Sequence, residues 1–154
     1  MTCSIVPLDA SSWDMFADLV ERNNGIFGGC WCIGFHPECG QRGIDHRAIK
    51  EERVKSDRAH AAMVIDEQGQ AQGWCQYGSP EELPGIKHRR EYQKAPPLYP
   101  AWRITCVFVD KRHRGQGIAR LALEGALEQY GFTRVRQVGK HAWIVNKILD
   151  PVRP

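Results

Sequence analysis

A chain of 154 residues, 42% hydrophobic and 25% charged, is long enough to bury a sizeable core, and one domain is the default at this size. Its formal net charge of +3 is too mild to imply nucleic-acid binding, and no apolar run approaches a membrane span. Six cysteines are too few for a disulfide scaffold, and the opening M-T-C-S-I-V-P-L-D lacks the basic and apolar regions of a signal peptide; the expectation is a soluble, cytoplasmic protein with mostly free thiols.

Ser4 to Leu8 predicts a first strand, with Pro7 marking an edge or a strand end. Asp9 to Ser12 reads as a turn, and Ser12 stands where it would cap a helix running through about Arg22. Trp13, Phe16, Leu19 and Val20 share one face of that helix, and Asn23-Asn24-Gly25 ends it.

The following stretch, G-I-F-G-G-C-W-C-I-G-F-H-P-E-C-G, brings Cys30, Cys32, His36 and Cys39 close in sequence. Thiolates and imidazole suit zinc, so a zinc-stabilised interaction protein is one reading. The spacing is not that of a zinc knuckle, because the first two cysteines are only two apart. The favoured reading binds no metal and has aromatic and thiol side chains lining a pocket, with Trp31 and Phe35 as either substrate contacts or core.

From about Ile44 to Ala59 the chain is charged and helix-prone, with Ile49 and Val54 as sparse apolar positions. It reads as a surface helix whose charges are simply solvated. Ala61 to Ile65, a turn at Asp66–Gly69 and Gln70 to Tyr77 predict an antiparallel hairpin. The second strand alternates imperfectly in A-Q-G-W-C-Q-Y-G, which suggests that both its faces are covered. Ser79 to Pro100 carries five prolines (Pro80, Pro84, Pro96, Pro97, Pro100) and the basic run Lys87-His88-Arg89-Arg90. A solvated loop is favoured there over a lid or a binding loop.

Ile104 to Val109 is a short run of β-branched and aromatic residues, the mark of a buried strand. Lys111, Arg112, His113 and Arg114 then lead into Gly115-Gln116-Gly117, and a helix begins at Ile118 with Leu121, Ala122 and Leu127 as further apolar positions. Strand, glycine turn and helix together can hold a phosphate. The helix start offers unpaired N–H groups and a partial positive charge, and glycines remove the Cβ atoms that would bar an anion from them. The bland alternative is a tight turn with no ligand.

Arg112-x-x-Gly115-x-Gly117, preceded by V-F-V-D and followed by I-A and a Leu/Ala-rich helix, closely resembles the acyl-CoA pyrophosphate loop of the GNAT superfamily of N-acetyltransferases. The C-W-C and G-W-C-Q-Y-G segments look like one subgroup of that superfamily. The resemblance implies an α/β (α+β) fold, a mixed and mainly antiparallel central sheet flanked by helices. It also implies transfer of an acetyl group from acetyl-CoA to a small-molecule or peptide amine by direct attack on the thioester. Val107, Phe108 and Val109 would lie along the thioester and pantetheine; Arg112, His113, Arg114, Gly115, Gln116, Gly117, Ile118 and Ala119 would hold the diphosphate.

The resemblance weakens after Gln129. Tyr130-Gly131-Phe132-Thr133-Arg134-Val135-Arg136 resembles what normally follows a fourth helix of the family, so a strand and most of a helix are missing before it. The strand T-R-V-R-Q-V, or a second chain in a homodimer, would then neighbour the motif strand. The acid often found as a tyrosine falls on Leu127, with Tyr130 displaced, and no base stands out. Glu81, Glu82 and His88 are candidates by location alone, and Cys106 reads as a structural thiol more than a nucleophile. A module that binds CoA without turnover is the non-enzymatic alternative.

Overall fold

The computed structural model describes residues 2–26, 28–95, 102–130, 133–138 and 142–146, with side chains as far as residue 127. Strands β1 (Ser4–Pro7), β2 (His60–Ile65), β3 (Ala71–Gly78) and β4 (Arg103–Val109) form one antiparallel sheet in that order. All eight residues of β3 are buried, as expected of a strand covered on both faces.

Alternate residues of the sheet feed two apolar clusters. On one face Ala61, Met63, Trp74 and Phe108 pack with helix α1 (Trp13–Arg22) and with Val54 of helix α2 (His46–Lys55). Trp74 sits at the centre of this layer, its ring 4.9 Å from those of both Phe16 and Phe108. On the other face Ala62, Val64, Cys75 and Tyr77 meet Ile118, Ala122 and Ala126. Those three belong to a helix, Ile118–Tyr130, that follows β4. Full burial of each large apolar side chain contributes about 1.5–3 kcal/mol, so these two layers supply the bulk of the stability.

The helix after β4 lies close to the sheet because its contact face carries Ala122 and Ala126 and its one large member, Ile118, sits over a glycine. A Cβ on Gly73 of β3 would stand 2.7 Å from Ile118 Cγ2, and one on Gly125 would stand 2.8 Å from Ile5 Cγ2. Leu121, expected in the core, is 37% exposed, because the stripe follows Ile118, Ala122 and Ala126 instead.

Ser12 does not cap α1. Its hydroxyl donates to Pro7 O at 2.7 Å and accepts the Asp9 N–H at 2.9 Å, which folds the β1–α1 turn back on itself. The other end of α1 closes as the sequence suggests, with Asn24 (φ 56°) and Gly25 (φ 73°) left-handed and the Gly25 N–H bonded to Val20 O at 2.9 Å.

Helix α2 is not a merely solvated surface element. Asp45 caps it by accepting the Ala48 N–H, while Lys50 and Arg53 are 1% and 6% exposed. The segment expected to be a solvated loop after β3 is also partly core. Leu83 is fully buried, Arg103 Nη1 donates to its carbonyl at 2.9 Å, and the Gly85 N–H donates to Phe35 O at 3.0 Å. From Lys87 to Ala95 it is exposed except at the half-buried Tyr92, and there it forms a short helix, α3 (Arg89–Lys94). Pro96, Pro97 and Pro100 lie outside the described residues.

The helix Ile118–Tyr130, α4 hereafter, runs almost directly into a hairpin of β5 (Thr133–Val138) and β6 (Ala142–Asn146). These two strands pair with each other in a separate antiparallel sheet, so T-R-V-R-Q-V does not become the neighbour of β4. Among the described residues β4 is therefore an edge strand. No described helix is long and apolar enough to cross a membrane.

Candidate active site

The glycine turn is anchored by Asp110, the first residue after β4. Asp110 is fully buried and its carboxylate accepts from Arg22 Nη1 (2.9 Å), Asn23 Nδ2 (3.3 Å), the Arg112 N–H (2.9 Å) and Arg112 Nη2 (3.0 Å). Arg112 above all holds this carboxyl well below the usual carboxylate range. The guanidinium of Arg112 is thus engaged in building the turn. Arg114 beside it is exposed, and His113 Nδ1 faces Gln116 Oε1 at 3.4 Å.

Beyond Asp110 a single helical turn, Lys111–His113, delivers the chain to Gly115 (φ 78°) and Gly117 (φ 81°). Both backbones are left-handed, which glycine adopts without steric cost. A Cβ at either would meet nothing within 4 Å, so the corner opens to solvent and not into packed side chains. The Leu121 N–H, bonded to Gly117 O at 3.0 Å, begins the bonding of α4. Helix geometry then leaves the amides of Ile118, Ala119 and Arg120 without intrahelical acceptors at the partly positive end. The Ile118 side chain is buried over Gly73, while Ala119 and Arg120 are exposed.

The pairing of β3 with β4 decides which strand amides face outward. The Asp110 N–H donates to Gln72 O at 2.9 Å, so Asp110 directs its amide at β3. Alternation along an antiparallel ladder then turns Phe108 toward β3, opposite Trp74, and sends the N–H groups of Val109 and Val107 to the outer edge. Of the three residues singled out here, two offer donors to a ligand and Phe108 secures the strand. The side chain of Val107 is 42% exposed on that same edge.

A cleft of about 610 Å³ abuts this edge. Its walls come from the loop carrying Cys30, Cys32 and Phe35, from Gly85–Lys87, and from Thr105–Val107 of β4. The loop is held from below by the buried charges of α2. Lys50 Nζ donates to His36 Nε2 (3.1 Å) and to Gln76 Oε1 (2.5 Å), and Gln76 Nε2 in turn donates to Thr105 Oγ1 (3.0 Å). Arg53 grips Glu38 with two parallel bonds, Nε to Oε2 at 3.0 Å and Nη2 to Oε1 at 2.8 Å. Burial first, and then the Lys50 charge, push the His36 imidazole down to about 2, so it is neutral, accepting at Nε2 and donating from Nδ1 to Glu82 O (3.1 Å).

That arrangement does not bring Cys30, Cys32, His36 and Cys39 together as a set of metal ligands. Both ring nitrogens of His36 are committed, the Cys32 sulfur faces Cys106 Sγ at 3.1 Å, and Cys39 is exposed. Among the described residues no group of three or more such side chains is placed to hold a metal. Of the two aromatics, Trp31 is core, stacked on Trp13 at 6.0 Å with Arg47 over its ring, whereas Phe35 lines the cleft.

The acid–base candidates part company. Glu82 is bound to His60, Oε1 to Nδ1 at 2.7 Å, and is not on the cleft. Glu81 and His88 are exposed and also off it. Cys106 lines the cleft. The side chain of Tyr130 lies outside the described residues. The roles of Lys50 and Arg53 escaped the sequence reading, although a signal existed: Lys50–Val54 and Ile49–Arg53 are i, i+4 pairs on one face of α2.

The model of the acetyltransferase (GNAT) family matches residues 16–146. The chain belongs to the GNAT family. No curated protein matches it in sequence. Two solved structures share the GNAT fold. A histone acetyltransferase HPA2 and related acetyltransferase from Corynebacterium glutamicum ATCC 13032 is 13% identical, with a TM-score of 0.54 over 99% of this chain and 100% of that one. A ribosomal-protein-alanine N-acetyltransferase from Brucella melitensis biovar Abortus 2308 is 18% identical, with a TM-score of 0.51 over 84% of this chain and 72% of that one. This member of the GNAT acetyltransferase family thus has its glycine turn in the open and its β4 edge beside a cleft.

Proposed function

We propose that this GNAT protein moves an acetyl group from acetyl-CoA to an amine seated in the cleft, by direct attack of the amine on the thioester. The observation that carries the reading is the open corner at Gly115 and Gly117, joined to a strand edge that presents two amides. The diphosphate would rest on the first-turn amides of α4, with Lys111 and Arg114 adding positive charge at the turn. The Val107 and Val109 N–H groups would hold the pantetheine and the thioester carbonyl, and donors fixed in advance at that place stabilise the developing oxyanion. The cleft beside Val107 then receives the acceptor within reach of the reacting carbon.

Release of the CoA thiol over a panel of amines tests the reading. Thiol production that depends on both acetyl-CoA and an amine is expected. Acetyl-CoA that binds but yields no thiol with any amine would leave a CoA-binding module in place of an enzyme.

A further inference from the structure

Four of the six cysteines, Cys30, Cys32, Cys39 and Cys106, line the cleft, and among the described residues no Asp or Glu does so. Three of the thiols form a chain. The Cys32 N–H donates to Cys30 Sγ at 3.3 Å, and the Cys32 and Cys106 sulfurs are 3.1 Å apart. The contact depends on an unusual backbone. Trp31 (φ 49°) and Cys32 (φ 52°) are consecutive left-handed residues with side chains, held there by the packing of Trp31 against Trp13 and beneath Arg47. This turn folds the Cys32 amide back onto the Cys30 sulfur.

The three thiols do not ionise alike. Hydrogen bonding to Cys106 and Cys30, together with burial, pushes the Cys32 thiol well up, so it keeps its proton. Hydrogen bonding from Cys32 brings Cys30 down to about 6 against the opposing effect of burial, and the nearby His46 and the buried Lys50 help. Cys106 also moves down, through its contact with Cys32 and, less, through Trp74; the single Cys32 proton serves one sulfur at a time, and the Cys32 amide goes to Cys30. Cys30 is half-buried and faces the cleft.

We propose that Cys30 is the general base of the transfer, taking the proton from the acceptor amine in the cleft. The proposal rests on the acetyltransferase reading above. As the amine nitrogen bonds to the thioester carbon it becomes cationic and strongly acidic, and the Cys30 thiolate accepts its proton to give a neutral thiol. The carbonyl then re-forms, the carbon–sulfur bond to CoA breaks, and CoA leaves as a thiolate. The Cys30 proton passes to that thiolate or to solvent, restoring the starting state; the sum is an amide plus CoA thiol. Because no carboxylate lines the cleft, the usual acid–base residue has no counterpart there among the described residues.

Three measurements on the full chain decide it. The rate of Cys30 alkylation by iodoacetamide against pH should show a midpoint near 6. The acidic limb of kcat/KM should share that midpoint and disappear in Cys30→Ala, with a rate loss of roughly 100-fold or more. Cys30→Asp should restore part of the rate with a shifted limb, and acetyl-CoA affinity by calorimetry should be the same in all three proteins. An alkylation midpoint in the ordinary thiol range overturns the proposal, as does Cys30→Ala turning over with an unaltered pH profile. An acetyl group found on Cys30 by peptide mass mapping would also overturn it, since the thiolate would then be a nucleophile. If the wild type does not bind acetyl-CoA at all, the acetyltransferase reading fails first and takes the base with it.

Discussion

Asp110 is the residue whose removal should be felt most widely, because it ties α1 to the glycine turn. Asp110→Ala strips the partner from Arg22 Nη1 and from the Asn23 amide, in a place where the carboxylate is fully buried and the Arg22 side chain only 18% exposed. Breaking a buried ion pair from one side costs about 3–5 kcal/mol. Arg22 keeps its bond to Ala71 O and its ion pair with Asp18, so the low end applies, about 3 kcal/mol. In a domain whose whole stability is roughly 5–15 kcal/mol, that is a large fraction. Urea unfolding at neutral pH, read as the shift in midpoint at constant slope, measures it. Acid supplies a second readout. A carboxyl held below its ordinary 3.8 stabilises the fold fully above about pH 4 and loses that stabilisation as the pH falls further. Asp110→Asn should therefore be destabilised at neutral pH and show a flatter decline in acid than the wild type. A loss below about 1 kcal/mol in Asp110→Ala, or an unchanged acid slope in Asp110→Asn, would refute the assignment of Asp110 as the anchor.

Gly73→Ala places a Cβ 2.7 Å from both Ile118 Cγ2 and the Phe108 carbonyl, and should cost about 1–3 kcal/mol in thermal unfolding while weakening acetyl-CoA binding; a variant as stable as wild type would contradict the tight seat of α4. Lys50→Met leaves His36 Nε2 and Gln76 Oε1 without their buried donor, so a loss of about 1–3 kcal/mol is expected by urea titration, and no loss would show that the polar chain beneath the cleft is dispensable. His60, bonded to Glu82 and Asp57, has its imidazole raised above the ordinary 6.5, chiefly by Glu82. Its stabilisation is complete below pH 6.5 and lost as the pH rises through the raised value, so the stability gap between wild type and Glu82→Gln should shrink with rising pH; a gap that does not change would argue against the pair.

What the sequence could announce and what it could not divide along the range of the interactions. The strand, glycine turn and helix from Arg103 onward were legible because each is set by neighbours: β-branched residues, two glycines and a run of helix formers. The hairpin of β2 and β3 and the apolar face of α1 were legible for the same reason. Lys50 and Arg53 were not, since what makes their burial tolerable is a set of partners distant in sequence, with Gln76 26 residues away from Lys50 and Glu38 15 residues from Arg53. Ser12 looked like a cap by type and place, yet its hydroxyl found a carbonyl on the preceding strand. Leu121 looked like core by hydrophobicity, but α4 turns Ile118, Ala122 and Ala126 to the sheet, with Ile118 over Gly73, and leaves Leu121 outside that line. In the candidate site, the glycine corner was visible as a motif. The split between the outward amides of Val107 and Val109 and the inward one of Phe108 required the strand register.

Calorimetric titration of acetyl-CoA into the wild type, Gly117→Val and Gly69→Val tests the central claim most directly. Gly117 and Gly69 share a left-handed backbone, φ 81° and 79°, with open space at the missing Cβ, so the two substitutions impose similar backbone strain at two different corners. The account predicts that Gly69→Val binds like the wild type, while Gly117→Val loses affinity by roughly tenfold or more, about 1.4 kcal/mol, because its side chain fills the space above the first amides of α4. Equal affinity in all three proteins would place the diphosphate somewhere other than this corner.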